Sequence, residues 1–358
     1  MGTVVIGSGM ALGEHRVPNE SLARVCDTTH EWILERTGIR ERYYVAQGTT
    51  PSDLAAEAAR GALADAGLQP SEIDYLIVAT MTPDYYFPGT SAIVQAKLGL
   101  PSVPALDVRQ QCTVFIHGFQ LADALLRTGA ARRVLLIGTE VHSGFMPFDV
   151  EVAIGTSSHV LTAEERAFAT GFRDRTVLFG DAAGAVILTR VPDEARDLLA
   201  LRLHTDGSQA DRLYVPSGFA FRPYVDAQMI KEGRHVPEMD GPRVFKTAAT
   251  KLPEVVREVV AEAGHRLEDV RLFLAHQANL RICEAVQRAL DVPDDRVYNN
   301  IDRYANTTSA TIPILWHECR HGARVPGATP APRIAPGDLI CLLGFAAGFQ
   351  WGAALLRA

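Results

Sequence analysis

"ADAGLQPSEIDYLIVA", residues 64–79, and "AEAGHRLEDVRLFLAH", residues 261–276, lie over one another without a gap. Each reads as a helix end, a glycine stop, a polar turn and an apolar run of strand length. The same phrase in both halves of one 358-residue chain marks an internal repeat.

The echo extends outward from these two phrases. After Cys112 come a predicted helix ("FIHGFQLADALLRTGA"), a strand ("RRVLLIGTE") and then "LFGDAAGAVILTR". After Asn306 come a helix ("SATIPILWHECRHGA"), a strand ("DLICLLGF") and then "AAGFQWGAALLRA". The pattern predicts an α/β protein of two similar βαβα halves, residues 1–195 and 196–358, joined near residues 190–205. Alternating helices and strands imply a mostly parallel, helix-covered sheet in each half. In "PSDLAAEAARGALADAG" a serine is expected to cap the helix N-terminus and Gly67 to close it. Residues 143–172 have no counterpart in the second half. Thr162 to Glu165 fits a capping box, so a short helix is expected inside this excursion. A connection of that length in a compact domain is usually functional or mobile.

Composition narrows the function. The chain is 47% hydrophobic and 22% charged, with a net charge of -7, which suits a globular protein without a basic face for nucleic acid. Its five cysteines, Cys26, Cys112, Cys283, Cys319 and Cys341, are widely spaced and form no CxxC. That pattern argues for a reducing compartment rather than a disulfide framework. No leader-like segment and no bilayer-length apolar run is seen, so a cytoplasmic protein without a membrane partner is expected.

Three constellations are candidates for chemistry. "GSGMALG", with Gly7, Gly9, Gly13 and the later Asp27, is spaced GxGxxxG rather than GxGxxG, and the following "EHRVPNESL" makes a poor helix. A strand running into a turn fits it better than a dinucleotide site, which needs a helix N-terminus for the pyrophosphate. "HECRH" places His317 and His321 on one helix face with Cys319 pointing away, so an exposed helix end is expected rather than a metal site.

The third constellation is Cys112, His276 and Asn306. Singly, each has a bland reading: a buried thiol, a hydrogen-bonded imidazole, an N-cap amide. The repeat, however, puts Cys112 and the Asn306 region at matching helix starts, with His276 at a strand's end. A thiol at a helix N-terminus meets unsatisfied N–H groups that favour thiolate. His276 and Asn306 would present N–H donors to a carbonyl gaining negative charge, as in enolate formation from a thioester, without a metal.

Motifs beyond these residues carry a resemblance. "TTHEWILERTGIRERYYV", "HQANLRI", "NTTSA" and "GFAAGFQWGAALL" occur in that order and resemble the signatures of the β-ketoacyl-acyl-carrier-protein synthase III family of the thiolase superfamily. The resemblance runs nearly end to end. It implies a thiolase-like fold layered α/β/α/β/α, with Cys112 as the acylated nucleophile and His276 and Asn306 supporting malonyl decarboxylation. It implies an oxyanion hole from the backbone N–H groups of Cys112 and Ala347. Trp32, Arg36, Arg173 and Asn279 are the implied coenzyme A contacts, and Lys246 and Arg281 the implied docking residues for the carrier protein. Phe87 matches an aromatic that closes the acyl pocket of a partner subunit in a homodimer. Acyl-coenzyme A and malonyl-acyl carrier protein are the implied substrates, with no resident cofactor.

Several positions depart from the family. Thr113 and Val114 follow the cysteine where a small residue and glycine are usual, and are expected to reshape the acyl pocket. Ala346, Ala347 and Ala182 replace glycines, and the 143–172 excursion is longer than in the housekeeping enzymes. These departures suggest a starter longer or more unusual than acetyl, for fatty-acid, polyketide or other secondary-metabolite synthesis. The alternative is an acyltransferase or thioesterase that uses Cys112 without condensing.

Overall fold

The computed structural model describes residues 2–192, 197–323 and 330–358. Part of the junction expected near 190–205 therefore lies outside the described residues. The first half builds a five-stranded sheet in the order Gly2–Leu12, Ala182–Val191, Arg133–Glu140, Tyr75–Ala79, Ala105–Val108. The second half builds the sheet Asp197–Thr205, Gln350–Arg357, Leu339–Ala346, Leu272–Ala275, and a parallel bridge from Phe273 to Val297 stands where a fifth strand would lie. Read in these orders, both sheets pass from two antiparallel pairings to parallel ones.

The sheets are thus mixed, and the expectation of mostly parallel sheets is corrected. A parallel crossover needs a dozen or more residues, whereas only Ala347–Phe349 separate the last two strands, so the chain must turn back on itself.

Five layers result. The Pro51–Ala66 helix packs outside the first sheet, with Leu54, Ala58 and Ala62 against Leu76, Leu135 and Ile187. The Gly241–Glu262 and Leu280–Leu290 helices cover the outside of the second sheet. Between the sheets lie the Val114–Arg127 and Thr311–His321 helices, joined through Phe115, Phe119, Leu136, Ile312, Leu315 and Leu342. Thr50, not the serine after Pro51, caps the first of these helices, in a reciprocal box with Asp53, and Gly67 ends it in the left-handed conformation.

Gly7 and Gly9 lie within the strand Gly2–Leu12 and Gly13 directly follows it. A Cβ on Gly9 would lie 2.1 Å from the carbonyl oxygen of Ala58, so this glycine lets strand and helix touch, and the next element is the strand His15–Pro18 rather than a helix N-terminus to hold a phosphate. The HECRH helix end differs from its expected exposure. His317, Glu318 and Cys319 are buried, while the half-buried Arg320 and the exposed His321 both pair with Asp65. Glu318 accepts from Tyr298, Asn300, Arg303 and Tyr304, and so fastens the segment that leads to Asn306. Among the described residues no cluster suited to a metal occurs, and no helix is long and apolar enough to cross a membrane.

Candidate active site

Cys112 sits in a one-turn 3-10 segment, Gln111–Thr113, that leads directly into the Val114–Arg127 helix. Gln111 carries a φ of 44°, a left-handed conformation that is costly for a residue with a Cβ. The matching turn of the second half, Thr308–Ala310 before the Thr311–His321 helix, has Thr308 at a φ of 45°. The repeat therefore places two strained turns at the starts of the two central helices, and these turns meet between the sheets. Gly138 permits the approach, since a Cβ there would stand 2.2 Å from the carbonyl oxygen of Ser309.

The surroundings of the half-buried Cys112 thiol oppose the thiolate that a helix start favours. Burial pushes its pKa above the ordinary thiol value, and the Glu140 carboxylate adds to the rise. Glu140 is itself buried at the end of Arg133–Glu140, accepting from the N–H groups of Met81 and Thr82 and from both threonine hydroxyls, Thr80 and Thr82. Desolvation pushes its pKa up to about 7. A resting neutral thiol requires a proton acceptor at the moment of attack.

His276 can supply one. It follows the buried strand Leu272–Ala275, and Gly344 lies between it and Cys112: a Cβ built there would be 3.5 Å from the Cys112 carbonyl oxygen and 3.7 Å from the His276 Cβ. The Nδ1 atom of His276 is 2.7 Å from the hydroxyl of Thr311. With that hydroxyl donating to the carbonyl of Thr308 at 3.0 Å, we assign Nδ1–H as the donor to Thr311, which leaves the lone pair on Nε2, a buried atom without a protein hydrogen-bond partner. Burial pushes the pKa down to about 3, so the ring is neutral at pH 7. In this form Nε2 accepts, and it becomes the expected N–H donor only once it has taken a proton.

Asn306 is buried in the segment before the Thr308 turn. Its Oδ1 accepts from the N–H of Thr308 at 2.9 Å, which leaves the Nδ2 amide to donate. Ala305, with φ 58° and ψ -156°, holds the preceding bend in a region normally kept for glycine. Ala347 lies between Ala346 and Gly348 in the tight turn linking the last two strands. Thr113 and Val114 are fully buried, and the Thr113 hydroxyl turns back to donate to the carbonyl of Gln110.

A second cluster lies on the surface. Trp32 is on the His30–Thr37 helix, capped by Thr29 and closed by Gly38. The guanidinium groups of Arg36 and Arg173 stand 4.6 and 4.7 Å from its ring centre. Asn279 caps the Leu280–Leu290 helix and donates to the carbonyl of Arg36, while Arg281 donates to that of Glu35. These two residues thus fasten the second half to the Trp32 helix. Lys246 is exposed on the Gly241–Glu262 helix. Phe87 projects from the surface, 86% exposed, beside exposed Tyr85 and Tyr86.

The excursion forms the predicted helix, Ala163–Gly171, with its Thr162–Glu165 capping box. Arg166 donates to the carbonyls of Ala23, Arg24 and Cys26, and Thr170 accepts from Asp27 N–H, so the helix braces the segment before Trp32 and delivers Arg173 to it. Thr311, Glu140, Gln110 and Gln350 are site residues that sequence reasoning missed.

Comparison with known proteins agrees with this geometry. Residues 106–207 match the family described as 3-oxoacyl-[acyl-carrier-protein (ACP)] synthase III, and residues 260–358 match its C-terminal counterpart. The chain is 40% identical over 354 residues to the β-ketoacyl-[acyl-carrier-protein] synthase III of Rhizorhabdus wittichii, covering 99% of this chain and 98% of the relative. It is 36% identical to the enzyme of that name from Aquifex aeolicus, over the full length of both. A crystal structure of the Aquifex 3-oxoacyl-[acyl-carrier-protein] synthase III superposes with a TM-score of 0.83 over the whole of both chains. The priming β-ketosynthase of the R1128 polyketide pathway is 28% identical with a TM-score of 0.82, covering 99% of this chain and 96% of that one.

Proposed function

The chain belongs to the 3-oxoacyl-[acyl-carrier-protein] synthase III family of condensing enzymes, and from that premise we propose a two-stage decarboxylative Claisen condensation at Cys112. The observation that supports this reading is that the Cys112 turn meets the Thr308 turn, which follows Asn306, while Gly344 is flanked by the Cys112 carbonyl and His276.

In the first stage the Cys112 sulfur attacks the carbonyl of an acyl-coenzyme A. The thiol proton passes to Nε2 of His276. The oxyanion of the tetrahedral intermediate is held by the N–H groups of Cys112 and Ala347. Collapse expels the coenzyme A thiolate, which takes up a proton, and leaves an acyl-cysteine. Coenzyme A serves as a substrate carrier rather than a resident cofactor. Its adenine stacks at Trp32, between Arg36 and Arg173, with Asn279 beside the pantetheine arm.

In the second stage malonyl-acyl carrier protein enters, guided by Lys246 and Arg281. Loss of CO2 leaves an enolate whose oxygen accepts from Asn306 Nδ2 and from the protonated Nε2 of His276. The enolate carbon attacks the acyl-cysteine. That attack forms the carbon–carbon bond, collapse of the tetrahedral intermediate breaks the carbon–sulfur bond to Cys112 and releases a 3-oxoacyl thioester, and the Cys112 thiolate recovers its proton from His276. A homodimer supplies Phe87 to the acyl pocket of the other subunit, a role that its exposure beside Tyr85 and Tyr86 supports. The starter is longer or less usual than acetyl, in fatty-acid or polyketide synthesis. The altered residues after Cys112 and the long excursion ahead of Arg173 support that choice, and Thr113 and Val114 shape the pocket from beneath.

Mass spectrometry of the intact protein after exposure to mixed acyl-coenzyme A thioesters tests the first stage. A single acyl adduct is expected, longer than acetyl and absent from the Cys112→Ala variant. The Asn306→Ala variant is expected to acylate but to release CO2 slowly. An acylated wild-type enzyme that never releases CO2 from malonyl-acyl carrier protein would establish the non-condensing acyltransferase instead.

A further inference from the structure

Gln350 opens the last strand, three residues after Ala347, and it is buried to within 8% of full cover. Its Nε2 donates to Oε1 of Gln110 at 2.6 Å, across 240 residues of chain. Gln110 stands two residues before Cys112. This one side-chain bond therefore joins the turn that carries the nucleophile to the turn that carries Ala347.

The Gln110 side of the bridge is held twice more. Both the N–H and the hydroxyl of Thr113 reach the Gln110 carbonyl, at 3.3 and 3.0 Å. The peptide entering the strained Gln111 is thus tied at its main chain by Thr113 and at its side chain by Gln350. On the other side, Gln350 packs against Gly348: a Cβ built there would be 3.1 Å from its Cγ and 3.2 Å from its Nε2. The half-buried bridge lies beside His117, one turn into the nucleophile helix, whose pKa is pushed down by burial while a hydrogen bond with Gln350 opposes the shift.

We propose that the Gln110–Gln350 bridge sets the spacing of the two oxyanion-hole donors, making Gln350 and Gln110 positioning residues for acyl transfer. The inference rests on the assignment of the Cys112 and Ala347 N–H groups as that hole. These donors come from different halves of the molecule, one from a single 3-10 turn and the other from the short link between two strands. An oxyanion must reach both at about 2.7–3.1 Å. Strain at Gln111 alone would relax by moving Cys112, and the bridge opposes that movement from the far side.

The test uses Gln350→Met and Gln110→Met, each of similar length and without a hydrogen bond, and the double variant. Single-turnover acylation by a reactive acyl-coenzyme A is followed by intact-mass spectrometry, with melting temperature recorded in parallel. Each single variant is expected to acylate about tenfold to a hundredfold more slowly at saturating thioester, with half-saturation little changed. The double variant is expected to be no slower than the worse single, because one bridge is lost in all three. Once acylated, the variants are expected to release CO2 from malonyl-acyl carrier protein at the wild-type rate, since that step uses His276 and Asn306. Acylation at the wild-type rate in the single variants would overturn the proposal. So would additive losses in the double variant, or an equal fall in acylation and CO2 release alongside a lowered melting temperature. Failure of the wild-type protein itself to acylate would instead remove the functional reading beneath it.

Discussion

Replacing Thr311 by valine removes one hydroxyl and keeps the side-chain shape, so it isolates the tautomer assigned to His276. In the native protein the Nδ1–H donates to the Thr311 hydroxyl at 2.7 Å, and that hydroxyl donates onward to Thr308. Thr311 is 2% exposed and His276 is 4% exposed, so water does not readily replace the lost partner. A buried donor left unpaired costs about 1–3 kcal/mol. The ring can escape that cost by moving its proton to Nε2, but it then no longer presents a lone pair to the thiol. Holding the productive tautomer in the variant costs the same amount, which corresponds to about fivefold to 150-fold in rate. Single-turnover acylation at pH 7 is therefore expected to slow by that factor in Thr311→Val and to recover in Thr311→Ser. The 15N chemical shifts of the His276 ring should report Nδ1–H in the wild type and in Thr311→Ser, and a shift toward Nε2–H in Thr311→Val. Wild-type acylation by Thr311→Val, or an Nε2–H ring in the unmodified protein, would refute the argument.

Four further outcomes follow from the same geometry. Burial raises the Glu140 carboxyl to about 7 in the fold against an ordinary value of 4.5, so the native state binds more protons than the unfolded state between these values. Its contribution to stability is thus lost as pH rises from about 4.5 through 7, and the melting temperature of Glu140→Gln should fall less over that window than that of the wild type. The same variant should lower the pH at which iodoacetamide modifies Cys112, because it removes the carboxylate that helps raise the thiol. Trp32→Ala removes the ring shared by Arg36 and Arg173, and is expected to raise KM for acyl-coenzyme A about tenfold with little change in kcat, read from steady-state kinetics. Gly9→Ala forces a Cβ to 2.1 Å from the Ala58 carbonyl, so the strand must leave the helix; a loss of about 3 kcal/mol or more is expected in denaturant unfolding.

The repeat was legible because burial writes itself into sequence. The strands buried on both faces read as unbroken apolar runs, and the glycine stops at Gly67 and Gly264 fall where the left-handed conformation is needed. Strand direction was misread: mostly parallel sheets were expected, but the three residues between Ala346 and Gln350 leave no room for a crossover. The burial of Glu318 was not legible. A charged residue in a helix ordinarily signals exposure, and only the convergence of Tyr298, Asn300, Arg303 and Tyr304 makes its burial tolerable.

The site divides in the same way. Cys112, His276 and Asn306 could be named from the sequence because residue type, helix start and strand end are local properties repeated in each half. The protonation states could not be, because they depend on groups distant along the chain. Desolvation and Glu140 raise the Cys112 thiol, whereas the helix start by itself argued for thiolate. The lone pair of His276 is placed by Thr311, and the turns of Cys112 and Ala347 are tied through Gln110 and Gln350. Sequence by itself determined which groups can react, since that follows from their chemistry and local backbone. Tertiary structure alone decided which of them holds the proton and how far apart the donors stand, since both depend on burial and on hydrogen bonds between the halves.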